Sequence, residues 1–172
     1  MKKKNNGFTL LELIIVLAIT GIIMSIVVSV FMTGNKVFSN SDTKTTLQMD
    51  AKDIQEKISD ICMQASSINS VSGNTENGEI IELVLNLGNA DENKSKAKIQ
   101  LDNGELNING FKVPSKVSSM KIHKEIVDEA YKKNHDLSKF DSIDFNIELE
   151  GKKPLGDEVI YPVNFTVTFR NR

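Results

Sequence analysis

Hydropathy divides the chain before any residue is given a role. Residues 13–32 contain no charged side chain. As α-helix rising about 1.5 Å per residue, that run spans roughly 30 Å, the thickness of a bilayer's hydrocarbon core. It is longer than the roughly 7–15-residue apolar core of a secretory signal peptide, and no A-x-A-like site closes it. Beyond Gly34 the chain turns polar, yet a helical period resumes. Leu47, Ala51, Ile54, Ile58, Ile61, Cys62 and Ala65 fall on one face, while Gln48, Asp50, Lys52, Asp53, Gln55, Glu56, Lys57 and Asp60 fall on the water side. No proline interrupts residues 8–66. One long helix is therefore predicted, with Gly34 and the Ser/Thr/Asn-rich residues 39–46 as places where it frays or bends.

The remainder reads as strands. Ser, Asn, Gly and Thr dominate residues 66–78 and predict a loop. Ile81, Leu83, Leu85 and Leu87 then alternate with other residues. Ile99-Gln100-Leu101 and Leu106-Asn107-Ile108 flank Asn103-Gly104, the sequence of a tight hairpin turn. Ile143, Phe145, Ile147 and Leu149 alternate with polar residues, and Val159, Tyr161, Val163, Phe165, Val167 and Phe169 repeat the pattern. Ile126, Val127, Ala130 and Tyr131 suggest a short helix inserted within residues 124–134. The fold class expected is α+β: a long N-terminal helix whose second half packs on one face of an antiparallel sheet. The corresponding segments are 8–34 for the apolar helix, 35–66 for the amphipathic helix and 67–172 for the sheet-built head.

Charge adds two constraints. The 172 residues carry 21 basic and 23 acidic side chains, a formal net charge of -2, so nucleic acid is not an expected partner. Lys2, Lys3 and Lys4 precede the apolar run and only Lys36 follows soon after. By the positive-inside rule, this predicts a single-pass protein with its amino terminus in the cytoplasm and the rest outside. Glu12 interrupts an otherwise uncharged stretch from Phe8 to Asn35. An unpartnered carboxylate there costs about 2 kcal/mol or more.

Candidate chemistry in the head is sparse. Cys62 is the single cysteine, which excludes an intramolecular disulfide, and its place on the apolar face predicts a buried thiol. His123 and His135 lack metal-ligand spacing, and no nucleophile elbow or phosphate loop is present. No enzymatic activity, cofactor or metal is expected. Asp141 with Asp144, and Asp91-Glu92-Asn93, match no calcium loop and read as surface acids. Lys94, Lys96 and Lys98 alternate and read as a solvated sheet edge guarded by charge. Within the apolar helix Gly21, Ser25, Ser29 and Thr33 recur every four residues, a stripe of small side chains that lets helices approach closely in lipid.

The short basic leader followed by Gly7-Phe8-Thr9-Leu10-Leu11-Glu12 and an apolar helix resembles the class III signal of type IV prepilins and type II secretion pseudopilins. The resemblance implies a pilin-like fold and a leader of residues 1–7 removed by a prepilin peptidase between Gly7 and Phe8. It implies N-methylation of the new terminus at Phe8, and a Glu12 carboxylate that pairs with the Phe8 amine of a neighbouring subunit during assembly. Loss of the leader would take the basic count from 21 to 18 against 23 acidic residues. Residues 47–54, with Ile61 and Ala65, are also similar to PilW-like minor pilins and J-type pseudopilins. The function implied is that of a structural subunit, a minor pilin, of a type IV pilus-like filament. Its implied partners are other pilin subunits, the prepilin peptidase, the pilus assembly platform and, before assembly, membrane lipid. It would sit in the cytoplasmic membrane first and in a cell-surface filament afterwards. A pseudopilin of a secretion or DNA-uptake machine and a membrane-anchored binding protein that never assembles are the alternatives.

Overall fold

The computed structural model describes residues 8–74, 76–88, 96–132, 136–152 and 158–170. Helix α1 runs over Leu10–Gln64, and its backbone stays helical through Gly34 and residues 39–46, where fraying was expected. The chain divides into two compact units after Ser41. The first is the apolar part of α1, whose side chains are exposed along residues 8–38. It is long and apolar enough to cross a membrane.

The second unit joins the rest of α1 to eight strands, all antiparallel: β1 (Ala65–Asn74), β2 (Glu79–Leu87), β3 (Lys96–Asp102), β4 (Glu105–Ile108), β5 (Phe111–Lys112), β6 (Lys116–Ile122), β7 (Ser142–Lys152) and β8 (Glu158–Thr168). Strand β2 organises the sheet. One of its edges takes β1 along its length, and the other takes β3 at residues 82–86 and β6 at Glu79. Beyond β3 the order continues through β4 to β5, and beyond β6 through β7 to β8. The expected hairpin forms between β3 and β4, with Asn103 and Gly104 both at positive φ (49° and 84°), the backbone that a two-residue turn of this hand needs. A short helix α2 (Lys124–Ala130) follows β6, burying Ile126 and Val127.

Burial follows the alternation in the long strands. Ile143, Phe145, Ile147 and Leu149 of β7 face inward, with Val163 and Val167 of β8, against Leu47, Ile54, Ile58 and Cys62 of α1 within one core. The α+β class is thus as expected. Helix and sheet approach closely at Gly151, where a Cβ would lie 2.9 Å from Leu47 Cδ1 and 3.0 Å from Thr43 Cγ2.

Three expectations need correction. Residues 65–74 form β1, where the helix was expected to carry Ala65 and run to residue 66 and a loop to follow over residues 66–78. Its buried residues Ala65, Ile68 and Val71 are spaced by three because irregularities in its register with β2 each insert a residue; strict alternation is lost, and with it the strand signal. Ile81 is 58% exposed, not core-facing. The register passes from Ser72↔Glu82 to Gly73↔Ile80, so Ile81 is the bulged residue and Ile80 takes the inward position. Asp50, placed on the water side by periodicity, is buried, and its carboxylate accepts a hydrogen bond from the Ser115 hydroxyl. Lys96 and Lys98 lie at the start of β3, paired with β2 and ahead of residues 99–102, the stretch that β4 pairs; Lys98 reaches Glu82 at 2.7 Å. Lys94, Asp91, Glu92, Asn93 and His135 lie outside the described residues.

Candidate processing and assembly site

The functional residues expected from the sequence cluster at the start of α1. Thr9 is the residue before the first helical position and Glu12 is the third residue of the helix. The Thr9 amide donates to Glu12 Oε2 at 3.0 Å, the Thr9 hydroxyl donates to the same oxygen at 3.1 Å, and the Glu12 amide donates to Thr9 Oγ1 at 3.3 Å. This is a reciprocal capping box. The first turn of any helix leaves backbone N–H groups without intrahelical acceptors, and here each side chain satisfies the other's amide. An acid in the first turn also faces the positive end of the helix dipole.

Sequence reasoning placed Glu12 here and missed Thr9. The signal was present: Thr-x-x-Glu directly before an apolar run is the pattern of a capped helix start. Phe8 is 83% exposed; Gly7 lies outside the described residues.

Along the apolar helix Gly21, Ser25, Ser29 and Thr33 are all exposed. Ser25 donates to the carbonyl of Ile22 (2.7 Å) and Thr33 to that of Ser29 (2.9 Å). These hydroxyls are thus satisfied within the helix, and the stripe offers a neighbour small side chains without an unpaired donor from either residue.

Cys62 is fully buried, and burial pushes its thiol up to about 12, far from the thiolate that nucleophilic or metal chemistry requires. His123 and Asp144 line a cavity of about 420 Å³ on the outer face of β6, β7 and β8, where the Asp144 carboxylate accepts from the Thr166 hydroxyl at 2.6 Å. No three His, Cys, Asp or Glu side chains converge as a metal site among the described residues. Glu129 is a hub of ion pairs. Its Oε2 receives Lys132 Nζ at 2.6 Å and Lys139 Nζ at 2.7 Å, tying the end of α2 to the short 3-10 turn Leu137–Lys139. Hydrogen bonds from Lys132 and then Lys139 hold its carboxyl down at about 2.

A capped apolar helix long enough to cross a membrane, followed by a helix half packed on an antiparallel sheet, defines an α+β protein. Residues 2–28 match the prokaryotic N-terminal methylation motif. That motif is the class III signal of type IV prepilins and pseudopilins, and it covers the leader, the Gly7-Phe8 junction, Thr9, Glu12 and most of the apolar run. No curated protein and no solved structure matches the chain.

Proposed function

We propose that the chain is a structural subunit of a type IV pilus-like filament, in the role of a minor pilin. In this reading it is cut by prepilin peptidase between Gly7 and Phe8 and N-methylated on Phe8. The observation that carries the proposal is the methylation motif over residues 2–28, joined to an apolar helix long enough to span a bilayer. Such a helix, freed of its basic leader, can leave lipid and pack among the helices of other pilin subunits, with the small-residue stripe setting close approach. Glu12 supplies the polar contact that fixes register, pairing with the Phe8 amine of a neighbouring subunit where low dielectric strengthens the attraction. The likeness of residues 47–54, with Ile61 and Ala65, to PilW-like minor pilins supports a minor rather than a bulk role, and its likeness to J-type pseudopilins keeps a pseudopilin as the second reading.

The testing experiment is mass spectrometry of the chain from membranes and from sheared filaments. The expected product begins at N-methylated Phe8, and Gly7→Arg leaves the precursor uncut in the membrane. An intact leader on the assembled wild-type protein overturns the proposal.

A further inference from the structure

Two large apolar side chains lie just beyond the apolar run of α1. Val37 and Phe38 are 63% and 80% exposed, directly after Lys36 and ahead of Ser39, Asn40 and Ser41. Glu12 and Lys36 are the only charged residues from Phe8 to Ser41. The apolar segment therefore ends in a lone acid on one side, and in a cation followed by an apolar pair on the other. Because α1 is unbroken from Leu10 to Gln64, these residues stand at fixed heights along it.

At about 1.5 Å per residue, Glu12 and Phe38 are roughly 39 Å apart. A bilayer has about 30 Å of hydrocarbon and about 40–45 Å with both headgroup layers, so each layer is about 5–7 Å deep. The interval from Glu12 to Phe38 exceeds the first thickness and fits within the second. Placing the hydrocarbon on residues 13–32 leaves Phe38 about 9 Å outside it, past the headgroups. Placing it on residues 15–34 brings Val37 and Phe38 into the headgroup layer and draws the Glu12 charge further from hydrocarbon, where it is less costly. Leu13 and Ile14 move only to the edge of the opposite headgroup layer, and Thr33 enters with its hydroxyl already donated to the Ser29 carbonyl at 2.9 Å. Apolar surface removed from water outweighs apolar surface moved to an interface.

We infer that Lys36, Val37 and Phe38 anchor α1 in a phospholipid headgroup layer, with the Lys36 ammonium on lipid phosphate, and hold the bilayer midplane two residues further along α1 than the uncharged run alone would set it. Side-chain direction suits each residue to that place. Helical side chains lean toward the N-terminus of their helix. Phe38 therefore leans back toward the hydrocarbon, while the flexible Lys36 stem turns its ammonium out to phosphate, its complement in charge. The inference rests on the reading of α1 as a helix across a bilayer; it requires neither cleavage at Gly7 nor filament growth.

The test uses the full chain in vesicles, with nitroxide labels on Ile19→Cys, Ile22→Cys, Ser25→Cys and Val28→Cys; Cys62 is buried and stays unlabelled. Label depth is read from the ratio of relaxation by oxygen to relaxation by a nickel chelate. In phospholipid vesicles, Lys36→Gln combined with Phe38→Ser is expected to move the depth profile about 3 Å toward the N-terminus, and Lys36→Arg to leave it in place. Lys36→Gln alone is expected to move the profile part of the way in phospholipid, and not at all in vesicles of a galactolipid, which has no phosphate. A profile unmoved by the double substitution, an equal shift for Lys36→Gln with and without phosphate, or a profile that follows the protein-to-lipid ratio, as cover by a second copy would make it, each overturns the anchor. A wild-type chain that does not float with the vesicles overturns the membrane reading itself, and the anchor with it.

Discussion

The Glu12 carboxylate is held by Thr9 of its own chain, 3.0 Å from the Thr9 amide and 3.1 Å from its hydroxyl. The charge that looked unexplained in the sequence therefore has a local partner before any second subunit arrives. A carboxylate offers about four lone-pair sites. Two hydrogen bonds on one oxygen leave capacity for a cation from elsewhere, so capping and inter-subunit pairing are compatible roles of one side chain.

Thr9→Ala removes the cap hydroxyl and is expected to cost the helix start about 1 kcal/mol. The readout is local: amide exchange at residues 10–12 of the detergent-solubilised chain should quicken, while exchange in the head is unchanged. Thr9→Ser keeps the hydroxyl and should restore protection. If Thr9→Ala leaves exchange unaltered, the cap does not hold the helix start.

Ile58 is fully buried where α1 meets the sheet. Ile58→Asp places an unpaired charge in that core and is expected to cost several kcal/mol, on the order of 3 or more. Circular dichroism of residues 36–172, which contain the whole second compact unit, should show a folded wild type and a large drop in thermal midpoint for the variant. An equal midpoint would contradict the packing of α1 on the sheet.

Glu129 gives a pH dependence with a definite sign. Its carboxyl is lowered from 4.5 to about 2 in the folded head. The charged form is therefore favoured by folding, and this contribution is fully present above the ordinary carboxylate range and lost as pH falls towards about 2. Tethering of α2 to the 3-10 turn should weaken through that window, seen as rising protease sensitivity near residues 131–140. Glu129→Gln should show that sensitivity already at neutral pH and respond less to acid.

The parts of the fold legible in the sequence were those with unbroken periods. Strands β7 and β8, the Asn103-Gly104 hairpin and the buried stripe from Leu47 to Ala65 all kept a strict repeat, because each pairs or packs without insertions. Strand β1 was hidden by bulges that move its buried residues to a spacing of three, and one further bulge turned Ile81 outward. Asp50 defeated periodicity for another reason: burial of a carboxylate is set by Ser115, far along the chain and brought beside it only by the fold. Strand order was equally illegible, because it rests on pairings between residues far apart in the chain. At the helix start the motif exposed Glu12 by its charge, while Thr9 passed as an ordinary polar residue.

The two roles of Glu12 separate by substitution. Glutamine at this position can still accept the Thr9 amide through its side-chain carbonyl, as capping boxes do with either residue, but it carries no charge to neutralise an amine. Glu12→Ala loses both functions. Both variants should be made, cut at Gly7 and retained in the membrane, because removing a carboxylate lowers the cost of placing this segment near lipid. Amide exchange at residues 9–12 should remain slow in Glu12→Gln and quicken in Glu12→Ala. Filament incorporation, measured by immunoblot of sheared and membrane fractions, should fall in both to a similar degree, since register depends on the ion pair rather than on the cap. Glu12→Asp keeps the charge on a stem one methylene shorter and should incorporate at an intermediate level. Full incorporation of Glu12→Gln beside a defective Glu12→Ala would reverse this ordering: capping, and not charge, would then be what assembly requires of Glu12.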